Sequence, residues 1–338
     1  MIREKLVGIV EVGGKAVRLL VCGVSDQSFR VVRTGSTLTN LSSIPETQKD
    51  ALYEKMASIK SSVNEFVEQA KAYECDKIFV FGTQALRRIQ DKHLYDLSTF
   101  GVKINVLCRK AEAFFSLVAA VKGLLGNMED NKRILILDLG SSSMEIAAGK
   151  IAEGVLRMET YKSYKLGSEE LVSLLKDTRK DFIKFEKRIQ KRIQSYEQVQ
   201  TFYRPDHVVL LGSVASNATW LLERLKFEEV RNRPYDPKRI NGKRVSVRES
   251  ETFVSSLLDA FSKDEHLVLK FLGYGKELPE EFQKIVTGLV TIAAALRMYN
   301  VESFQVSGQG TRYGVAWVLA TEGNEPCDPQ TLEKCRIV

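Results

Sequence analysis

The stretch Ile134–Ile146, ILILDLGSSSMEI, decides the fold of this chain. Its apolar run predicts a buried strand that ends at the carboxylate of Asp138. Gly140–Ser143 then predicts a tight turn, and a second strand begins at Met144. Such a turn can direct successive backbone N–H groups to one side, which forms a concave site for a phosphate. A hairpin turn without a ligand is the alternative.

A second stretch of the chain has the same layout. Leu6–Val21, LVGIVEVGGKAVRLLV, also places an acid, Glu11, after an apolar run, and a glycine, Gly13, two residues later. The offset from Glu11 to Asp138 equals the offset from Gly13 to Gly140. Two hairpins of this kind indicate a duplicated domain. We expect the two turns to face one cleft and to bind the same anion.

Composition places the chain among soluble globular proteins. Its 338 residues suit two domains, and 44% of them are hydrophobic and 28% charged. No run approaches the roughly 18 apolar residues of a membrane span, and the N-terminus does not resemble a signal peptide. We therefore expect no membrane partner.

The net charge of +7 favours an anionic ligand without identifying it. Nucleic acid, a membrane surface and a phosphate-rich small molecule would all suit a basic protein. Because no zinc finger, aromatic RNA-binding signature or helix-turn-helix is found, we expect no nucleic-acid partner. The five cysteines include no Cys-x-x-Cys pair, and three histidines give no zinc spacing. This usage predicts reduced thiols and a cytoplasmic location.

Hydrophobic periodicity predicts the same order of elements in both halves: three strands, a helix, a strand, a helix and a strand. The first half has a helix at Lys49–Tyr73, strands at Lys77–Phe81 and Ile104–Leu107, and a helix from Ala111 to Leu125. The later strands of the second half are predicted at Val208–Leu211 and Phe304–Ser307, and its helices include a long tract at 171–203. This order predicts an α/β fold with a cleft between two halves.

Six motifs, in the same order, resemble those of the exopolyphosphatase/guanosine pentaphosphate phosphohydrolase family of the actin-like, sugar-kinase superfamily. They are Glu11–Ala16, Thr83–Arg87, Ala111–Ala113, Asp138–Glu145, Gly212–Asn217 and Gln309–Gly314. The resemblance covers nearly the whole chain and is to the short form, which lacks a C-terminal helical domain.

The resemblance implies duplicated actin-like (ribonuclease H-like) domains, each a mixed five-stranded sheet with flanking helices. We place the first domain at 1–126 and the second at 127–313. A C-terminal helix near 314–338 is expected to pack back on the first domain.

The resemblance also implies roles for individual residues. Glu112 corresponds to the family's general base, and Asp138 and Glu11 would complete the catalytic set and hold Mg²⁺. The implied phosphate-binding residues are Gly13, Gly14, Lys15, Arg87, Gly140, Ser141, Ser142, Ser143, Glu145, Gly212, Ser213, Gly310 and Arg312. Each role has a plain alternative. Glu112 could complement a helix dipole, Asp138 could cap a turn, and the arginines could form salt bridges.

Departures from the family pattern concentrate in the phosphate motifs. Glu11 replaces an aspartate, and the family's Ser-Asn-Ser becomes Gly14–Ala16, which loses two hydroxyls and gains the cation of Lys15. Ser141 and Ser142 replace glycines, so the second turn should be less regular.

Three functions follow as expectations. The first is hydrolysis of the terminal phosphoanhydride of inorganic polyphosphate or guanosine pentaphosphate. The second is a catalytically degenerate sensor that binds polyphosphate, an alarmone or a nucleotide. A sugar- or acetate-type kinase is the third, though such kinases lack the Glu-Ala motif here. We expect a polyanionic phosphate as the partner and leave a homodimer open.

Overall fold

A computed structural model describes most of the chain. The described residues are 4–25, 28–89, 103–125, 130–177, 181–194, 204–222, 241–263, 279–321 and 334–336. The chain forms two compact units. Unit 1 comprises Met1–Lys132, Glu145–Ser163 and Gly310–Val338, and unit 2 comprises Arg133–Met144 and Tyr164–Gln309. The domain boundaries given above and the cleft stay predictions, and residues 126–129 at the first boundary lie outside the described residues.

The first sheet lies in unit 1 and has the strand order β3-β2-β1-β4-β5. Its strands are β1 (Lys5–Val12), β2 (Ala16–Val24), β3 (Phe29–Leu38), β4 (Lys77–Gly82) and β5 (Ile104–Val106). The hairpin strands β1, β2 and β3 pair antiparallel, whereas β1, β4 and β5 run parallel. This is the mixed five-stranded sheet that was predicted.

The second sheet repeats this order and adds a strand at each edge. Its strands are β6 (Arg133–Leu139), β7 (Met144–Ala152), β8 (Val155–Tyr164), β9 (His207–Leu211), β10 (Arg244–Ser246), β11 (Ser303–Val306) and β12 (Lys334–Arg336). Their order is β10-β11-β9-β6-β7-β8-β12, in which β6, β9 and β11 are parallel. The duplicated α/β architecture is confirmed, and the second sheet is wider than the five predicted strands by β10 and β12.

The two hairpin turns are closed in the same way. The Gly13 N–H donates to the carbonyl of Ala16 at 3.0 Å, and the Gly140 N–H donates to the carbonyl of Ser143 at 2.9 Å. The offset between the two donors equals the offset between the two acceptors. The sequence repeat is therefore also a repeat of backbone hydrogen bonding.

Helix α1 (Lys49–Ala72) packs on the first sheet through the face that the periodicity predicted. The predicted residues of that face are all buried: Leu52, Met56, Ile59, Val63, Phe66, Val67 and Ala70. The helix ends one residue before the predicted Tyr73. Glu74 follows with a positive φ of 55°.

Two further helices of unit 1 pack against each other. Helix α3 (Arg109–Ala120) begins two residues before the predicted Ala111 and continues as a π-helical turn, Val121–Leu125. Every residue of α3 from Ala111 onward is buried. Because α3 is buried on all sides from Ala111 onward, other elements must cover each of its faces. Helix α9 (Thr311–Thr321) packs against it and also against β1 and β2.

Gly314 allows the close approach of α9 to α3. A Cβ at this position would lie 1.9 Å from the backbone carbonyl oxygen of Phe115, so one of the helices would have to move. We expect Gly314→Ala to destabilise unit 1 by about 1–3 kcal/mol or more, although alanine is ordinarily the better helix former. Urea unfolding followed by Trp317 fluorescence measures this.

Gly310→Ala is the matched control, since a Cβ there meets nothing within 4 Å. Its unfolding midpoint should stay near that of the parent chain. Equal midpoints for the two variants would contradict the close packing of α9 on α3.

Within the described part of unit 2 the helices are α4 (Ser168–Asp177), α5 (Phe182–Gln194), α6 (Ser213–Leu222), α7 (Val247–Lys263) and α8 (Pro279–Met298). The predicted tract 171–203 is thus two helices with described residues, and its positions 178–180 and 195–203 lie outside the described residues. The basic residues Lys238 and Arg239, considered for a polyanion groove, also lie outside them. Among the described helices, none is long and apolar enough to cross a membrane.

Candidate functional site

The carboxyl ends of the parallel strands of unit 1 carry most of its predicted site residues. Glu11 is the penultimate residue of β1. The short helix α2 (Gln84–Arg87) begins two residues after β4, and α3 begins three residues after β5. The Thr83 N–H donates to the carbonyl of Val12, which holds the start of α2 at the end of β1. In α/β sheets, ligands bind at the carboxyl ends of the parallel strands.

Arg87 and Glu112 form an ion pair at this edge. Arg87 Nη1 lies 2.5 Å from Glu112 Oε2, and the two side chains are 14% and 10% exposed. Glu112 is in the first turn of α3, where a carboxylate also complements the helix dipole. Glu112 is therefore placed both to act as a base and to complement the helix dipole, and Arg87 is an ion-pair partner of its carboxylate.

The other bonds of Arg87 fix its orientation. Its Nη1 also donates to the carbonyl of Leu107 at 2.8 Å, and its Nε donates to Gln84 Oε1 at 3.0 Å. Its Nη2 is buried and has no hydrogen-bond partner among the described residues. The guanidinium is thus held against Glu112, and the two N–H groups of its Nη2 are unused. Its predicted role as a phosphate clamp stays a prediction.

Glu11 is the centre of a second charged cluster. Its Oε2 lies 3.0 Å from Arg312 Nη1 and 3.8 Å from Arg18 Nη1. Arg18 faces Glu11 because these two residues are direct partners in the antiparallel β1–β2 register. Arg312 comes from the first turn of α9, far along the chain.

Arg18 was not among the predicted site residues. The signal for it was present in the sequence, because Arg18 is the one charged residue in the otherwise apolar strand β2, AVRLLVCGV. A charge inside such a strand is expensive unless it is paired. Its position opposite an acid in the hairpin register would have identified its partner.

Helix packing brings the two clusters to the same region of unit 1. Ser116 Oγ and Thr311 Oγ1 are hydrogen-bonded at 2.9 Å. Ser116 lies one turn after Glu112 on α3, and Thr311 precedes Arg312 on α9. Unit 1 therefore gathers two carboxylates and three guanidiniums at one edge of its sheet. These are Glu11, Arg18, Arg87, Glu112 and Arg312.

The hairpin turn between β1 and β2 is anchored through its carbonyl groups. The Gly14 carbonyl accepts from the Ser42 N–H at 2.9 Å and from Ser42 Oγ at 3.2 Å. The Lys15 carbonyl accepts from the N–H groups of Thr39 and Asn40, each at 2.9 Å. Because these carbonyls are all bound by residues 39–42, the turn is rigidly placed beside Glu11. The phosphate contacts of Gly13, Gly14 and Lys15 stay predictions.

The hairpin turn between β6 and β7 is anchored in a similar way, by residues of unit 2. The carbonyls of Gly140 and Ser141 accept from the N–H groups of Ser168 and Glu169 at 3.0 and 3.1 Å. Ser142 Oγ is buried without a hydrogen-bond partner among the described residues. An unsatisfied buried hydroxyl in a turn of this kind fits an anion-binding role, which stays a prediction for Ser141, Ser142 and the buried Ser143.

The backbone of Gly212 lies close to Asp138 and Leu139. It follows β9 with a φ of +96°, and a Cβ there would lie 2.3 Å from the carbonyl oxygen of Leu139 and 3.3 Å from Asp138 Oδ1. Asp138 and Leu211 are partners in the parallel β6–β9 register, so the carboxylate lies beside this turn. Only glycine fits here without strain. Ser213 then opens α6 and is exposed.

Glu145 and Gly310 have simpler surroundings. The Glu145 carboxylate is 2% exposed and accepts a hydrogen bond from Ser163 Oγ at 2.8 Å. Gly310 precedes α9 in open space. The structure gives neither residue a contact with the Glu11 or Glu112 carboxylate, and their phosphate contacts stay predictions.

The predicted Mg²⁺ ligands differ in how well they suit a metal. The Glu11 carboxylate is already neutralised by two guanidiniums, and a divalent cation beside Arg18 and Arg312 would be repelled. Among the described residues, no group of three or more His, Cys, Asp or Glu side chains could hold a metal ion. Glu11 therefore does not fit as a ligand in this arrangement. Asp138 offers a single carboxylate, and Mg²⁺ can bind through one carboxylate together with substrate phosphates.

Comparisons with known proteins agree with this architecture. The structure of the Aquifex aeolicus Ppx-GppA enzyme matches with a TM-score of 0.73 and 16% identity, over 93% of this chain and 99% of that one. An exopolyphosphatase from Cytophaga hutchinsonii matches with a TM-score of 0.66 and 14% identity, over 95% and 99% of the two chains. At these identities the likeness establishes the actin-like fold alone.

A search of curated protein sequences found no match. The model of the Ppx/GppA phosphatase family, however, matches residues 21–321, which is most of the chain. The six motifs, the duplicated sheets and this match agree. The chain therefore belongs to the Ppx/GppA phosphatase family.

Proposed function

We propose that this chain hydrolyses the terminal phosphoanhydride bond of inorganic polyphosphate or guanosine pentaphosphate. Membership of a phosphatase family supports hydrolysis in general. The observation that carries the proposal further is Glu112, a carboxylate 8% exposed and fixed by Arg87 at the ligand-binding edge of the sheet. Guanidiniums that can bind phosphate oxygens lie in the same region.

The proposed step is attack of water on the terminal phosphorus. Glu112 accepts a proton from the water, the new P–O bond forms, and the bond to the bridging oxygen breaks to release phosphate and the shortened chain. Transfer of a phosphoryl group depends mainly on positioning and on stabilisation of charge. A carboxylate held in one orientation by Arg87 satisfies the first need, because a general base must lie within hydrogen-bond reach of its water.

Arg18 and Arg312 supply the charge stabilisation. Both are paired with Glu11. A polyphosphate carries more charge than one carboxylate, and planar guanidiniums bind phosphate oxygens in pairs. The substrate would share or replace Glu11 as their partner. Glu11 then keeps the two guanidiniums in place until substrate arrives.

A specific observation favours the second candidate, a sensor that binds the polyanion without turning it over. Arg87 Nη1 lies 2.5 Å from Glu112 Oε2, so one oxygen of the candidate base is already engaged by a guanidinium. The family's metal-suited aspartate is Glu11 here, and it is paired with arginines. The same cluster would then bind a polyanion without activating a water.

The discriminating experiment measures phosphate release from polyphosphate and from guanosine pentaphosphate, with and without Mg²⁺. Release by the parent chain supports the hydrolase, and the preferred substrate identifies the polyanion. Thermal stabilisation by either compound without release supports the sensor. ATP consumption that depends on a sugar or acetate would contradict both and favour a kinase.

A further inference from the structure

Unit 2 contains a cavity beside the amino ends of strands β9 and β11, away from Asp138. The cavity has a volume of about 510 Å³ and is lined by residues 204–208, by residues 298–305 and by Arg244. These are the segments at the amino ends of β9 and β11, whereas Asp138 and Gly212 lie at the carboxyl ends of β6 and β9. At about 3.3 Å per residue, the length of β9 separates the two places by roughly 16 Å.

Two arginines give the cavity donors for an anion. Arg204 and Arg244 both line it and are exposed. Among the described residues, neither side chain takes part in a hydrogen bond or an ion pair. Unpaired guanidiniums present planar sets of donors that match the oxygens of a phosphate.

A buried histidine atom supports the same ligand. His207 Nδ1 is buried and has no hydrogen-bond partner among the described residues. A buried polar atom without a partner costs about 1–3 kcal/mol, so such atoms require an explanation. His207 lines the cavity beside Arg204, and a ligand oxygen would satisfy its nitrogen.

Two acidic residues, Asp206 and Glu302, balance the formal charge of the arginines, but they do not pair with them. Asp206 Oδ2 accepts the backbone N–H of Arg133 at 2.8 Å, and the Asp206 N–H donates to the Arg133 carbonyl, so Asp206 closes the end of β6. Glu302 is exposed at the cavity and lies before β11. The bound acid and the two unbound arginines leave an excess of available donors.

From these observations we infer that the cavity binds a phosphate-bearing small molecule at a second site. Its volume lies within the roughly 300–1,000 Å³ of small-molecule pockets, and it is larger than one phosphate group needs. Arg204 and Arg244 bind the phosphate, and His207 Nδ1 contacts one of its oxygens. The inference does not rest on the proposed hydrolysis, because it uses no residue of that site.

The test observes the histidine directly. The chain contains three histidines, so ¹⁵N-histidine labelling gives three imidazole signals, and His207→Gln assigns the one that disappears. Orthophosphate, AMP and adenosine are titrated separately. We expect the His207 signals to shift saturably with AMP or with orthophosphate and to stay unchanged with adenosine. AMP against orthophosphate distinguishes an organic phosphate from the free ion.

Paired variants locate the effect. The double variant Arg204→Ala, Arg244→Ala should weaken the binding at least tenfold, as judged by the His207 shift. The charge-matched control Lys187→Ala, Arg188→Ala changes two exposed residues of α5 outside the cavity and should bind as the parent does. A third double variant, Arg87→Lys with Arg312→Lys, keeps a cation beside Glu112 and Glu11 but removes both guanidinium forks. It should leave the His207 shift in place.

Three results would overturn the inference. They are the absence of a saturable shift with either phosphate compound, an equal shift with adenosine, and a shift that survives the loss of Arg204 and Arg244. A shift that disappears only with Arg87 and Arg312 would also assign it to the candidate catalytic site.

Discussion

Glu112→Gln is expected to lower the rate of phosphate release by about 10²–10⁴-fold, the usual contribution of a general base. Glutamine keeps the shape of the side chain and one oxygen that can accept from Arg87 Nη1, so the packing of α3 should survive. It has no carboxylate to take the proton of the attacking water. The loss should therefore appear in kcat, with little change in KM.

The measurement is steady-state phosphate release across a pH series, with Glu112→Ala as a second variant. Both variants should release phosphate more slowly than the parent at every pH of the series. Glu68→Gln is the matched control, because Glu68 is an exposed residue of α1 that pairs with Lys71. Its activity should equal that of the parent. Parental activity in Glu112→Gln would exclude Glu112 as the base.

If the parent chain releases no phosphate, Glu112→Gln tests the sensor instead. The neutral amide removes a negative charge beside the bound polyanion, so the affinity for polyphosphate should rise or stay equal. A fall in affinity would indicate that Arg87 needs the carboxylate to hold it in place. Ligand-dependent thermal stabilisation measures either change.

The strand–turn–strand pattern around Gly13 recurs around Gly140, and this repeat made the architecture predictable from the sequence. Alternating and periodic patterns report which side chains are buried, and a turn closed by its own backbone depends on local residues. The same rules predicted the buried face of α1, from Leu52 to Ala70. Strands β10 and β12 could not be predicted, because RVS and KCR each contain a single apolar residue, whereas the equally short β5, INV, contains two.

The ion-pair partners of the site residues were harder to predict than the places of those residues in the fold. The sequence near Glu11 does not predict its contact with Arg312. The two residues meet because α9, near the end of the chain, packs against β1, near its start. Arg87 and Glu112 likewise meet because β4 and β5 are neighbours in the sheet. Arg18 was the exception, since the hairpin register alone places it opposite Glu11. Contacts within a hairpin are therefore readable from the sequence, whereas contacts between helices need the fold.

Arg87→Met is expected to destabilise unit 1 by about 3–5 kcal/mol, since it removes the guanidinium that pairs with the buried carboxylate of Glu112. Methionine fills much of the same volume, so the loss should come from charge and hydrogen bonding. Three donor contacts end at once, to Glu112, Leu107 and Gln84. Urea unfolding followed by Trp317 fluorescence in a Trp220→Phe background reports on unit 1, because Trp317 is buried in α9.

A double-mutant cycle then separates the pair from its surroundings. The variant Arg87→Met, Glu112→Leu removes both charges, and it should recover most of the stability that Arg87→Met loses, because two apolar side chains need no desolvated partner. Arg188→Met, at an exposed position of α5, should have almost no effect. Additive losses in the double variant would show that Arg87 and Glu112 are not coupled. In that case Arg87 would act on α2 and Leu107 alone, and the orientation of Glu112 in the proposed reaction would need another source.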